Sequence, residues 1–168
     1  MIATASSVFA ADLKLPNFTF QSIDGGNIEL NQFVGKTLLI ANTASRCGFT
    51  GQYGGLQEIH DLYAKEGLVV LGVPSKDFRQ ELRFNEEVKE FCETNFNITF
   101  PMTEITKVVG PDAHPLYKWL SEKYNFRPRW NFNKVLISKN GTVVNTFGST
   151  VGPKSNKLRS ALIEAFKK

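Results

Sequence analysis

Hydrophobic positions change their period several times along this chain, and each change predicts an element. Asn17-Phe18-Thr19-Phe20 and Asn27-Ile28-Glu29-Leu30 alternate polar and apolar residues around Asp24-Gly25-Gly26, which predicts a β-hairpin with a glycine turn. Leu38 to Ala44 is almost continuously apolar, as in a strand covered on both faces. From Gln52 to Lys65 the period becomes helical, with Leu56, Ile59, Leu62 and Tyr63 on one face and Gly67 as the stop. Leu68 to Val73 is a second buried strand, ended by Pro74. Strand, helix, strand in this order is a βαβ unit with a parallel pair.

Beyond a polar loop from Ser75 to Phe84, Asn85 is the expected N-cap of a helix running to Asn95, with Glu86 and Glu87 in its first turn and Val88, Phe91 and Cys92 on its apolar face. Asn97 to Met102 reads as a short strand and His114 to Tyr124 as a helix. Lys134 to Ser138 and Thr142 to Phe147 flank Asn140-Gly141, a strong hairpin signal. Ser155 to Lys168 is the last helix, with Leu158, Ala161, Leu162, Ala165 and Phe166 on one face. A βαβ half joined to a hairpin-plus-helix half predicts an α/β thioredoxin-like fold, with a central mixed sheet flanked by helices and an N-terminal β-hairpin. Reactive groups then collect at the carboxyl ends of the parallel strands.

Length and composition suit one domain, over residues 13–168 of the 168-residue chain, with an ordinary 42% hydrophobic and 21% charged content. Residues 1–12 read either as the tail of an export signal, which would send the protein to a periplasm, or as a disordered Ala/Ser-rich terminus of a cytoplasmic protein. The net charge of +4 is mild and scattered, so neither nucleic acid nor a membrane surface is an expected partner. No apolar run is long enough for a transmembrane helix. Two cysteines and two histidines, far apart, show no metal-ligand spacing, so neither a metal nor another cofactor is expected.

The chemistry centres on Cys47, delivered by the apolar strand to the turn Arg46-Cys47-Gly48-Phe49-Thr50 ahead of a helix. The positive end of a helix and the Arg46 charge both favour an ionised sulfur. The alternative is a buried structural cysteine. Thioredoxin uses a CxxC pair, but here the second cysteine is missing, so a short disulfide cannot close. A lone thiolate can attack a hydroperoxide and become a sulfenic acid. That attack needs neutral donors to hold the departing oxygen, and Trp130 and Asn131 lie in a turn that this topology brings beside the first parallel strand. On pattern alone Trp130 reads more readily as a core residue, and Tyr53 and Phe49 read as packing or as the border of the site.

The stretch Gly35 to Cys47 with Gly48-Phe49-Thr50 resembles the glutathione peroxidase family in its cysteine form. Leu71-Gly72-Val73-Pro74-Ser75, Asn85 to Cys92, Phe100-Pro101-Met102, Ala113-His114-Pro115-Leu116-Tyr117 and Trp130-Asn131-Phe132 follow in family order, covering about residues 13 to 165. The resemblance implies a catalytic set of Cys47, Gln80, Trp130 and Asn131. The chain departs from the family at Lys76-Asp77-Phe78-Arg79-Gln80-Glu81, one residue shorter than the usual loop, which leaves Gln80 open to being a solvated loop residue. Cys92, by pattern a core cysteine, resembles the resolving cysteine of the thioredoxin-dependent members. In that role it closes a disulfide with Cys47 after its helix unwinds, since the two start beyond disulfide range. Only ten residues separate Trp119 from Trp130, without the insertion that tetrameric members carry, which implies a monomer or weak dimer with an open site.

The expected activity is a cysteine peroxidase of the glutathione peroxidase kind, acting in the response to oxidative stress. It reduces hydrogen peroxide and organic, including lipid, hydroperoxides, and is recycled by a thioredoxin-like dithiol or by glutathione. A second reading is a peroxide sensor that relays oxidation to a partner protein by thiol–disulfide exchange. A redox-inactive binding module of the same fold fits poorly with Arg46-Cys47 and Trp130-Asn131 both present.

Overall fold

The computed structural model describes residues 14–168. The two readings of residues 1–12 therefore lie outside the described residues. A hairpin of β1 (Thr19–Gln21) and β2 (Asn27–Glu29) precedes a four-stranded sheet of order β4-β3-β5-β6. In that sheet β3 (Thr37–Thr43) pairs parallel with β4 (Leu68–Pro74) and antiparallel with β5 (Lys134–Ile137), which pairs antiparallel with β6 (Val143–Phe147). Four helices, α1 (Gln52–Leu62), α2 (Asn85–Phe96), α3 (Pro115–Tyr124) and α4 (Asn156–Phe166), complete the described fold.

The apolar run of β3 is buried at every position because helices cover both faces of the sheet. Side chains alternate across a strand, so Leu39 and Ala41 face one core layer and Leu38 and Ile40 the other. The first layer holds Leu56 and Ile59 of α1, Val88 and Cys92 of α2, and Leu158 and Leu162 of α4. The second holds Leu116 and Leu120 of α3 with Phe20 and Ile28 of the hairpin.

Three local expectations change. Asn85 does not cap α2: its Oδ1 accepts from the Ile105 N–H at 2.8 Å, and the Glu87 carboxylate accepts the orphan N–H groups of Phe84 and Arg83 instead, each at 3.1 Å. Asn97–Met102 is no strand. It touches the sheet by a single bridge from Met102 to Gly72, because Pro101 lacks an N–H to continue a ladder. Its close approach needs the glycine, since a Cβ on Gly72 would stand 3.1 Å from the Phe100 ring and 3.2 Å from Met102. Leu62, expected on the buried face of α1, is 63% exposed. The regular helix ends there, and turns carry the chain to Gly67 at φ +84°.

Candidate active site

Cys47 sits just past the carboxyl end of β3, in a run of turns that leads into α1. The helix proper starts at Gln52, so the sulfur is not in its first turn. It receives a backbone N–H directly, from Phe49 at 3.3 Å. The turn is closed by Thr50, whose N–H donates to the Cys47 carbonyl at 3.0 Å. The Thr50 hydroxyl accepts from the Cys47 N–H at 2.9 Å and donates to the Ala44 carbonyl at 3.0 Å. Cys47 is 9% exposed, and its neighbours Arg46 and Gly48 face solvent.

The loop after β4 packs onto this turn. Asp77, in the shortened segment, accepts from the Val108 and Val109 N–H groups at 2.6 and 3.1 Å, which pins the loop from outside. Arg79 then takes a left-handed conformation, φ +59°, with its N–H on the Lys76 carbonyl at 2.8 Å. That turn brings the Gln80 carbonyl to the Arg46 N–H at 2.8 Å and the Glu81 carboxylate to the Ser45 N–H at 3.0 Å. Gln80 is therefore a part-buried member of the Cys47 turn and not a free loop residue. Its side-chain oxygen accepts from Asn131 Nδ2 at 3.0 Å, across 51 residues of sequence.

Trp130 and Asn131 are presented by a turn whose three consecutive carbonyls are each held by a side chain. The Trp130 carbonyl accepts from Asn42 Nδ2 at 2.9 Å and Asn133 Nδ2 at 3.1 Å. The Asn131 carbonyl accepts from the Ser149 hydroxyl at 2.6 Å, and the Phe132 carbonyl from Lys134 Nζ at 2.7 Å. Phe132 itself has φ +60°, and its N–H donates to the Asn42 carbonyl at 2.6 Å, which ties the turn to the end of β3. Asn131 is fully buried, whereas Trp130 is 39% exposed and lies against Phe78, ring centres 5.5 Å apart. Asn42, Asn133, Ser149 and Lys134 did not emerge from the sequence. The available signals were polar residues interrupting apolar strands, Asn42 within β3 and Lys134 at the head of β5.

Beneath Cys47 lies a second polar group of side chains. Tyr53 is fully buried, packed edge-on to Phe132 with ring centres 5.3 Å apart, so it is packing by its ring. Its hydroxyl is beside the Thr43 hydroxyl and the Cys92 thiol but closes no well-formed hydrogen bond to either. Cys92 is a free thiol on the inner face of α2, 1% exposed, and burial pushes it up to about 12. Cys47 is free as well. Burial also raises the Glu81 carboxyl above the usual range, against the hydrogen bonds it accepts.

A sequence model of the glutathione peroxidase family matches residues 15–121. A hydroperoxy fatty acid reductase of Synechocystis is 42% identical over 147 residues, covering 81% of this chain and 87% of its own. A glutathione peroxidase-like peroxiredoxin of Chlamydomonas reinhardtii is 42% identical over 139 residues, covering 80% and 86%. Among solved structures, the apo form of a protein called Trgpx superposes with a TM-score of 0.72 at 36% identity, over 90% of this chain and 94% of that one. A thioredoxin-family thiol:disulfide interchange protein from Chlorobium tepidum superposes with a TM-score of 0.70 at 17% identity, over 94% and 98%, a likeness of fold.

Proposed function

This chain belongs to the glutathione peroxidase family and is a thiol peroxidase, and we propose that Cys47 is its peroxidatic sulfur, with Gln80, Trp130 and Asn131 as donors and Cys92 as the resolving thiol. Cys47 Sγ attacks an oxygen of the hydroperoxide. The S–O bond forms as the O–O bond breaks, and the departing oxygen leaves with a proton as alcohol or water. The sulfenic acid condenses with Cys92 to a disulfide and water. A thioredoxin-like dithiol, or glutathione, returns both sulfurs to thiols.

One observation carries the assignment of the donors: the hydrogen bond from Asn131 to Gln80, beside the Arg46–Gln80 backbone contact. Because Gln80 accepts through its side-chain oxygen, its NH2 remains available to donate, and the Gln80 backbone ties this pair of amides to the Cys47 turn. Such preorganised donors lower the barrier by meeting the charge that develops on the oxygen. The half-exposed Trp130 borders a site open enough for organic and lipid hydroperoxides. The proposed state is a monomer or weak dimer, and the proposed compartment is the cytoplasm or the periplasm, divided by whether residues 1–12 belong to an export signal. A peroxide relay fits less well with relatives named as peroxidases.

Cys47→Ser is expected to abolish peroxide consumption in an NADPH-coupled assay with thioredoxin and its reductase, and normal rates in that variant end the proposal. Mass spectrometry after one equivalent of peroxide, without added thiol, is expected to find a Cys47–Cys92 disulfide. Sulfenic or sulfinic acid persisting on Cys47 beside an unmodified Cys92 would assign recycling to glutathione or another external thiol.

A further inference from the structure

The end of the sheet opposite Cys47 carries a recess that the peroxidase chemistry does not use. It has a volume of about 280 Å³ and opens where β3 begins and β5 ends. From this end β3 runs seven residues, about 20 Å, toward the Cys47 turn. Leu30, Leu38 and Ile137, all buried, form the floor of the recess, and the half-buried Phe33 forms a wall. Hydrogen bonds between segments remote in sequence hold it in shape. Gly35 N donates to the Lys139 carbonyl at 3.2 Å, Leu15 N to the Gly141 carbonyl at 2.8 Å, and Asn31 N to Asn17 Oδ1 at 3.0 Å. Val34 stands at the rim, 79% exposed. Apolar surface left open in a concave place marks a site for a small ligand.

The charges around this recess are of one sign. Lys14, Lys36 and Lys139 line it, all three are exposed, and no Asp or Glu lines it with them. None of the three makes an ion pair among the described residues. The nearby Glu29 carboxylate is engaged by Asn17 Nδ2 at 3.3 Å. One lysine on a surface is an ordinary solvated charge, but three around an apolar recess match a molecule with an anionic head and an apolar chain. We propose that the recess binds a medium-chain fatty acid, its chain against Leu30, Phe33, Leu38 and Ile137 under the cover of Val34, and its carboxylate among Lys14, Lys36 and Lys139. The volume lies just below the ~300–1,000 Å³ usual for small-molecule sites, which suits a chain of about ten carbons. A recess also fits one free molecule better than the flat face of a bilayer. The site is remote from Cys47, so the inference stands apart from the roles given to Cys47 and Cys92.

The test is calorimetric titration of the full chain at neutral pH with hexanoate, octanoate and decanoate, each below its micelle range, with amide NMR shifts to locate the ligand. Saturable binding is expected, tightening about fourfold per added methylene. Amide shifts are expected at Leu15, Val34, Lys139 and Gly141, with none at Cys47 or Thr50. Decanol, which has the same chain without the charge, is expected to bind about tenfold more weakly than decanoate. The double variant Lys14→Gln, Lys139→Gln is expected to weaken decanoate about fivefold and leave decanol unchanged. Val34→Glu, a change at an exposed rim position, is expected to weaken decanoate about tenfold without changing the peroxidase rate. Absence of saturable decanoate binding, shifts centred on the Cys47 turn, or decanol binding as tightly as decanoate overturns the proposal. Binding to phosphatidylglycerol vesicles without binding of monomeric decanoate assigns the face to a membrane, and shifts at the recess that follow protein concentration alone assign it to a second copy of the chain. Either of these results overturns the proposal as well.

Discussion

Lys134 is a lysine with no exposed surface, and its surroundings suit the amine better than the ammonium. Its Nζ donates to the Phe132 carbonyl at 2.7 Å and the Val151 carbonyl at 2.8 Å, and a neutral amine has two N–H groups for those two acceptors. Burial lowers it to about 7. The unfolded chain therefore holds a proton that the folded one lacks between about 7 and the usual lysine range, so this residue makes stability rise with pH across that window. Lys134→Met is expected to remove that rise, seen as a smaller gain in denaturant midpoint from pH 7 to pH 8.5. Leaving the two carbonyls unpaired costs of order 1–3 kcal/mol at the upper pH. Because one of those carbonyls closes the turn that presents Asn131, the variant also loses peroxidase rate in the coupled assay. A charged residue at the head of an apolar strand is visible in the sequence, but its two partners are carbonyls, which every residue has, so only the fold could name them.

At the scale of elements, the caps were partly legible. His114 precedes Pro115, and the structure makes it the N-cap of α3: Nδ1 accepts from Leu116 N at 3.2 Å, Nε2 donates to the Thr19 carbonyl at 2.8 Å, and the ring stacks on Phe20 at 3.7 Å. One imidazole thus joins α3 to the hairpin, and it does so neutral. Burial lowers its affinity for protons, and the same holds for His60, whose Nδ1 accepts from Val70 N at 3.2 Å and joins α1 to β4. A lowered folded value means the unfolded chain takes up the proton first. The stabilisation is present above the ordinary histidine range and is lost as pH falls through it. His114→Asn keeps a cap that does not titrate, and is expected to lose less stability than wild type between pH 7 and pH 5.5 in chemical denaturation. Asn85 shows the limit of such reading: Asn is a good cap by residue type, but Glu87 reached the free N–H groups while Asn85 was drawn off to Ile105, a contact that no local pattern encodes.

For the molecule as a whole, the proposed cycle asks α2 to leave its place. Cys92 points into the core beside Tyr53, and Gly54 of α1 lies against Phe96 of α2, where a Cβ would come within 3.7 Å of the ring. Drawing Cys92 to Cys47 breaks this packing and the ordered cap at Glu87. The oxidised enzyme is therefore expected to show less far-UV helical signal than the reduced one, by about the share of a 12-residue helix, with recovery on adding a dithiol. An unchanged spectrum in a protein carrying the Cys47–Cys92 disulfide would show that α2 stays folded.

The elements of this protein were set by its local sequence: strand and helix periods, Asn140-Gly141 at the last hairpin and the apolar run that delivers Cys47 are properties of neighbours in the chain, and local physics suffices to read them. The order of those elements was enough to predict the mixed sheet. What only the tertiary structure decided was which polar groups meet. Gln80 with Asn131, Asn42 with the Trp130 carbonyl and Ser149 with the Asn131 carbonyl span 51, 88 and 18 residues, and a hydrogen bond between groups so far apart leaves no periodic trace. Burial was decided there too, because the same charged residue is a solvated lysine on a surface and a clamp for two carbonyls inside a sheet.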